Sequence, residues 1–387
     1  MKIEKIILNI QPKKKINKMA RRFPLLRPLF LARDQAGIAL ITVILIVSLL
    51  AVVLVEFAYN SRIQLRMADS FAKQLKAYTI ARGGIDSAAD LLLYDSRKNQ
   101  IDFFSKPLDS LDFAEGSLGE GAKLEEVWSW AAQGTPFSYP VGDGLLVIKI
   151  SDENGKVNLN QLDDPKIRKI AVQLLETLIS TSTGLQKAPS AEALTDSIRA
   201  WTGAGMESGS DFQGVGEDFY PGLSTPYSSK AGMLDSLSEL RLIGGITSSV
   251  YAAFLEGAGP EARNGDALDS PLLTVFPQQS SGSKINVNTA PALVLESLHE
   301  TFTPGWAQEV VDARKEKSFV SIGEFLNEFV PDAHARLDLQ NLIAVKSDVF
   351  SISSTGVVGD LAVTVKAVVI RIPAENRVGL LYFRVEG

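Results

Sequence analysis

From Ile38 to Val55 the chain has 18 consecutive positions, and only Thr42 and Ser48 among them are polar. A run of this length and composition sits at the lower edge of what crosses a hydrocarbon core about 30 Å thick as a helix. It does not end in a turn. Glu56 closes the apolar run, yet no proline follows until Pro107. A one-sided pattern takes over instead, with Ile63, Met67, Phe71, Leu75, Tyr78, Ile85, Ala89 and Leu92 at spacings of three, four and seven. That spacing marks an amphipathic helix. The two stretches together predict one continuous helix over 38–94, about 85 Å long at 1.5 Å per residue. Its first part, 38–55, is membrane-embedded, and the rest is laid on a soluble domain. Gly83 and Gly84 predict a bend or loose point inside it. The side carrying Ile63, Met67, Phe71 and Leu75 is expected to bury against the chain's own sheet or against neighbouring helices.

A basic segment precedes the apolar run. Residues 1–37 hold ten Lys or Arg against Glu4 and Asp34, a net +8, which leaves the remaining 350 residues at −14. Positive charge beside an apolar segment keeps that flank in the cytoplasm and places the chain after Val55 outside it. The layout is that of a signal sequence, and an uncleaved signal anchor fits it. The acidic remainder argues against nucleic acid as the main partner. There are no cysteines, and His299 and His334 are the only histidines. Disulfides, thiolate metal sites and cysteine nucleophiles are thereby excluded. No Gly-x-Ser-x-Gly elbow, Walker loop or His-Glu-x-x-His motif occurs. Arg82-Gly83-Gly84 lies within the helical stripe and is not a phosphate loop. We read no enzyme.

Beyond the helix, residues 95–143 carry turn and loop signals around a short predicted helix, Lys123–Ala132, whose Trp128 and Trp130 read as packing residues. Leu145–Ile150 predicts a strand. The Asn-Gly in Asp152-Glu-Asn-Gly-Lys156 predicts a turn, with Val157–Leu159 returning as a second strand. Three further strands are expected at Val349–Ser354, Leu361–Arg371 and Gly379–Val385, with a hairpin turn over Gly356–Asp360. Between them the chain reads as helical over Lys166–Ser180, Ala191–Trp201, Met233–Leu242 and Ser248–Glu256, with a Gly-, Ser- and acid-rich loop at 202–230. Lys156-Val-Asn-Leu-Asn160 echoes Lys284-Ile-Asn-Val-Asn288. The echo fits two short strands pairing with each other, or coincidence, and Asn160 or Asn288 fits a helix cap.

Gly37 followed by Ile38-Ala-Leu-Ile-Thr-Val-Ile-Leu-Ile-Val-Ser-Leu-Leu-Ala-Val-Val53 resembles the processing site and first helix of the type IV pilin-like superfamily. In that superfamily a prepilin peptidase cuts after the glycine and the new N-terminus is methylated. Carried over, the cut falls between Gly37 and Ile38, Ile38 is methylated, and 1–37 is a cleaved leader. Most members carry glutamate at the fifth mature position, and here that position is Thr42. This departure resembles the K class of minor pseudopilins of type II secretion. So do Asp152–Asn160, the region of Trp201, Gly216–Pro221, Lys284–Pro291 and the C-terminal strands. The resemblance implies an α+β, pilin-like fold: a long, partly transmembrane helix on an antiparallel sheet. It divides the chain into the helix 38–94, a first α/β part 95–159, an inserted helical domain 160–345 and β-strands 346–387. It implies a subunit at the pseudopilus tip, N-terminus cytoplasmic and C-terminal domain periplasmic, anchored in the inner membrane. Its partners would be other minor pseudopilins, the major pseudopilin, prepilin peptidase, the inner-membrane assembly platform and membrane lipid. The physical sense of Thr42 follows. A buried N-terminal ammonium needs a counter-charge, and a threonine supplies none to a subunit above.

Two constellations invite chemistry. Glu207, Asp211, Glu217 and Asp218 lie in the Gly-rich loop, and calcium seeks six to eight such oxygens. The resemblance implies calcium here, at Asp211, Glu217 and Asp218. The family's Asp-Trp-x-Asp reads Ala200-Trp201-Thr202-Gly203 in this chain, however, so both aspartates are missing, and an ion-free acidic loop is the alternative. Residues 284–326 resemble a helix-hairpin-helix module, which implies a DNA-uptake protein as the rival function. A single-pass periplasmic binding protein with an uncleaved anchor is a third. The hairpin Thr303-Pro-Gly-Trp306 has one glycine, and Glu300, Glu309, Asp312, Glu316 and Glu324 offset Arg314, Lys315 and Lys317. Phosphate binding needs a net positive, donor-rich loop, so no nucleic acid is expected.

Overall fold

The computed structural model describes residues 36–98, 136–182, 185, 187–203, 212–255, 272–279 and 282–386. It divides into two units, Met1–Arg66 and Met67–Gly387. The predicted helix Lys123–Ala132 falls outside the described residues.

Helix α1 runs unbroken over Ala36–Lys98. The helix continues through Gly83 and Gly84 without a break. Their role is close approach. A Cβ on Gly84 would lie 2.2 Å from Ser354 Oγ, and one on Gly356 would lie 2.0 Å from the Ala77 carbonyl oxygen. Helix and sheet therefore meet with bare backbone on both sides.

Among the described residues the sheet has five antiparallel strands in the order β1-β2-β7-β8-β9. Strand β1 is Phe137–Val141, β2 Gly144–Asp152, β7 Val349–Val358, β8 Leu361–Ile372 and β9 Arg377–Glu386. Strand β1 corrects the loop reading of 95–143. Pro140 reads as a breaker, but β1 is an edge strand, where a residue without an N–H is tolerated. Gly359 at φ +62° makes the tight β7–β8 turn, because Val358 pairs with Leu361. The face toward α1 alternates inward as a half-buried strand should. Leu146, Ile148, Ile150, Phe350, Ile352, Val365, Ala367 and Val369 pack on Ala81, Ile85, Ala88 and Leu92. Arg371 locks the far end of α1. It is fully buried, reaches Asp95 at 3.1 Å and the Leu92 carbonyl at 3.2 Å, and lies 4.7 Å over the Phe350 ring.

Of the predicted stripe on α1, Ile85 and Leu92 pack on the sheet, while Met67, Phe71 and Leu75 do not bury against the chain's own sheet and are left for neighbouring helices, the other expected cover. Met67, Phe71 and Leu75 are exposed within the second unit, and Ile63 is exposed in the first. Alanines at 77, 81 and 88 face the sheet instead, because only small side chains allow this approach.

The chain leaves the sheet after β2 and re-enters at β7, its neighbour. Asp152, opposite Phe350 in that pairing, accepts hydrogen bonds from Asn154 N, Thr289 Oγ1, Asn286 Nδ2 and Ser347 Oγ. Asn154 Oδ1 accepts from the backbone N–H groups of Asp348 and Val349 at 3.0 and 2.9 Å. Asn-Gly thus does not form a hairpin, and Val157–Leu159 does not return along β2. Strand β3 (Val157–Asn158) pairs in parallel with β4 (Leu273–Thr274).

The inserted lobe carries α2 (Pro165–Thr181), α3 (Ala191–Thr202), α4 (Ser248–Phe254), α5 (Ala292–Glu296), α6 (Pro304–Glu316), α7 (Ile322–Phe329) and α8 (Ala333–Leu339). The helix expected over Met233–Leu242 is a shorter 3-10 helix, Leu237–Leu242. Strand β5 (Ile285–Asn286) pairs in parallel with β6 (Ile343–Ala344). The two echoed segments therefore do not pair with each other. They are equivalent parts of two similar halves. Asn160 donates to the carbonyls of Val275, just past β4, and Leu234, and accepts from Leu234 N. Asn288 donates to the carbonyls of Val345, just past β6, and Phe319, and accepts from Phe319 N. Neither asparagine caps a helix. Each ties a strand to a distant loop. The tied loops also match: Leu234-Asp-Ser-Leu-Ser-Glu-Leu240 and Phe319-Val-Ser-Ile-Gly-Glu-Phe325. In both, the glutamate accepts from the backbone N–H four residues earlier, at 2.8 Å, and meets a lysine, Lys230 or Lys317.

Gly356→Ala should cost the folded part about 2–3 kcal/mol through overpacking. Gly83→Ala, with nothing within 4 Å of the added methyl, should stabilise it by about 0.5–1 kcal/mol. Urea denaturation of both variants measures the contrast, and equal effects would contradict the packing. Asn160→Ala or Asn288→Ala, each leaving a buried N–H and C=O unpaired, should cost about 3 kcal/mol in the same assay.

Candidate functional site

The N-terminal stretch is the first candidate. Gly37 and Ile38 lie in the first turns of α1, and the side chains from Ile38 to Val55 are exposed. The helix is long and apolar enough to cross a membrane. Thr42 Oγ1 donates to the Ile38 carbonyl at 2.9 Å, and Ser48 Oγ to the Ile44 carbonyl at 2.7 Å. Both hydroxyls in the apolar run are thus satisfied within their own helix, as a lipid-facing hydroxyl requires. Thr42 carries no charge and has its donor engaged.

The acidic loop is the second. Glu217 and Asp218 open the 3-10 helix Glu217–Gly222, and both are exposed. Glu217 Oε1 accepts from Ser229 Oγ at 3.3 Å. Asp211 and Glu207 lie outside the described residues. Among the described residues no three metal-capable side chains gather. The two adjacent carboxylates fit part of a hard-cation shell, and no more. The loop is anchored by Asp196 and Ser197, which no sequence motif singles out, and by the region of Trp201, which one does. Buried Asp196 on α3 holds the Arg168 guanidinium and accepts from Gln213 N at 3.1 Å, while Ser197 Oγ accepts from Val215 N at 2.8 Å. Trp201 packs edge-on against Tyr220 at 5.2 Å and Tyr227 at 6.2 Å. Burial raises the Tyr220 hydroxyl pKa, and that hydroxyl accepts from Gly244 N. Asp196 has a sequence signal only in hindsight, as an acid on the apolar side of α3.

The hairpin module is the third. Thr303 Oγ1 caps α6 by accepting from Trp306 N at 3.2 Å. Trp306 stacks on Phe302 at 3.7 Å and donates to the Phe329 carbonyl. The three basic residues Arg314, Lys315 and Lys317 are committed elsewhere. Arg314 is buried and donates to the carbonyls of Val287 at 2.8 Å and Ala290 at 2.6 Å, and burial lowers its pKa to about 10. Lys315 pairs with Asp312 at 2.8 Å and Lys317 with Glu324 at 2.7 Å. These ion pairs hold the Asp312 and Glu324 carboxyls below their ordinary range. The loop has no donor array for a phosphate.

Two family models match the lobe. One, described as type II secretion system protein K and covering its first part, spans residues 155–256, and the other, type II secretion system protein K, spans 285–346. They fall on the two similar halves. The chain is 28% identical over 294 residues to type II secretion system protein K of Pseudomonas aeruginosa, covering 76% of each. It is 23% identical over 351 residues to that of Aeromonas hydrophila, covering 88% of this chain and 94% of the relative. Among solved structures, a chain of the GspK-GspI-GspJ complex from enterotoxigenic Escherichia coli matches with a TM-score of 0.49 and 22% identity, over 65% of this chain and 83% of that one. The models on both halves of the lobe, and relatives matched along most of their length, make this chain similar to type II secretion system protein K.

Proposed function

We propose that this chain is a minor pseudopilin at the tip of the type II secretion pseudopilus. It assembles there with other minor pseudopilins and the major pseudopilin, and initiates or caps the fibre. Prepilin peptidase cuts between Gly37 and Ile38, and Ile38 is then methylated. The helix spans the inner membrane with its basic flank in the cytoplasm and its sheet and lobe in the periplasm. The observation that carries the reading is Thr42: its hydroxyl is bonded to the Ile38 carbonyl, and the first turns of α1 offer no acid to the ammonium of a subunit above. The large lobe, spliced between β2 and β7, adds bulk that blocks addition above it. The chemistry of this chain is assembly, and no reaction is derived from its side chains.

Mass spectrometry of the chain from its own cells should find a mature N-terminus at methylated Ile38, and an intact 1–37 would refute processing. Deletion should abolish protein secretion and leave DNA uptake unchanged. We further propose that Asp211, Glu217 and Asp218 hold calcium. The reading is supported by the acidic, Gly-rich composition of the loop and by the exposed pair Glu217 and Asp218. Calorimetric titration should show binding, with Tm rising by about 5 °C at saturating calcium. No heat and no shift would remove the proposal.

A further inference from the structure

Five basic residues follow the apolar run on α1 before Gly83: Arg62, Arg66, Lys73, Lys76 and Arg82. Three of them have partners. Lys73 pairs with Asp69 at 2.9 Å and with Asp360 at 3.6 Å, and Lys76 pairs with Asp143 at 2.8 Å. Arg82 donates to the Tyr78 hydroxyl at 3.4 Å. Arg62 and Arg66 are exposed, and among the described residues no acid pairs with either. Glu56 stands six residues before Arg62, outside the three- and four-residue spacings at which helical side chains meet. The two arginines are a cationic spot on a chain that carries a net −14 after Gly37.

Their height on the helix matches a lipid phosphate. The apolar run ends at Val55. Arg62 follows it by about 10 Å and Arg66 by about 16 Å at 1.5 Å per residue. The headgroup layer on each side of a hydrocarbon core is about 5–8 Å deep. Long side chains on a helix lean toward its N-terminus, which here is back toward the apolar run. Arginine carries its charge at the end of an apolar stem. The Arg62 guanidinium therefore falls at the level of the headgroups, and that of Arg66 at their outer boundary. Tyr59, Arg62 and Arg66 recur at spacings of three and seven, so they share one face. Tyr59 is 65% exposed and sits where tyrosine settles in a membrane interface. The planar guanidinium fork fits a phosphate with two parallel hydrogen bonds.

We propose that Arg62 and Arg66 bind phosphate groups of phospholipids in the periplasmic leaflet, and so set the depth at which α1 rests. The inference rests on the membrane-spanning reading above. It adds to that reading a polar contact that must be broken when the helix leaves the bilayer.

The test uses the full processed chain in vesicles that contain spin-labelled phosphatidylglycerol or spin-labelled phosphatidylcholine. The phosphate charge of the first is not offset by an amine. Electron paramagnetic resonance of the protein-bound lipid should show a preference of about fivefold for phosphatidylglycerol. Salt at about 1 M should remove it. The double variant Arg62→Gln, Arg66→Gln should bind both lipids equally, while Lys73→Gln, at a lysine already paired with two acids, should keep the preference. No preference in the parent chain, a preference kept by the double variant, or one lost equally in Lys73→Gln would overturn the proposal. A chain that does not float with the vesicles defeats the membrane-spanning reading itself. A chain that floats without preference defeats only the arginine contact. In secreting cells, Tyr59→Cys labelled with benzophenone maleimide is unique, because the chain has no cysteine. It should give lipid adducts. Adducts to another subunit, or to residues 99–135 of the same chain, in place of lipid would assign this face to protein and overturn the proposal.

Discussion

The buried carboxylate of Asp152 is where the sheet and the inserted lobe become one body. It ends β2 and receives donors from Asn154, Asn286, Thr289 and Ser347. These come from both ends of the insertion and from its middle. Beside it, buried Glu153 takes donors from Lys156 and from Thr274 on β4. A buried carboxylate without donors costs several kcal/mol, so the site demands that all these segments arrive together. A long insertion can then sit between two neighbouring strands without loosening them. Its two ends are tied at the point where Asp152 faces Phe350.

The same economy of space governs the long helix. Apolar residues occur along all of α1, yet only its later turns, through Ala77, Ala81, Ile85, Ala88 and Leu92, meet the sheet. The contact depends on what is missing: side chains at Gly84 and Gly356. Large residues at 67, 71 and 75 remain exposed.

The lobe shows how duplication conceals itself. Its halves share an Asn-x-Asn after a short strand, a buried loop residue tied by the second asparagine, and a Ser-x-x-Glu following that loop. The hydrogen bonds repeat almost atom for atom, while the surrounding sequence has diverged. The Gly-rich acidic loop lies between α3 and the tied segment at Leu234. In the second half only a few residues separate Glu316 from the tied Phe319. The candidate calcium loop is thus an elaboration of one half, and the hairpin that resembles a DNA-binding module is the packing of the other.

Local chemistry alone determined a good deal. Period and hydropathy gave the long helix, the strands Leu145–Ile150 and 361–371, and most helices of the lobe, because these signals are held within a few residues. The Gly37–Ile38 junction and Thr42 entered as a family resemblance, and the charge balance argued against nucleic acid as the main partner. Tertiary structure decided the rest. Pro140 became acceptable because β1 lies at an edge, and the Asn-Gly turn was overruled by the bonds that Asn154 makes to 348 and 349. Gly83 and Gly84 read alike in sequence, yet only Gly84 has Ser354 against it. Arg314 looked like a surface cation and is spent on two buried carbonyls. In each case the deciding partner lies far along the chain, and no local pattern carries information about a partner that only folding brings near.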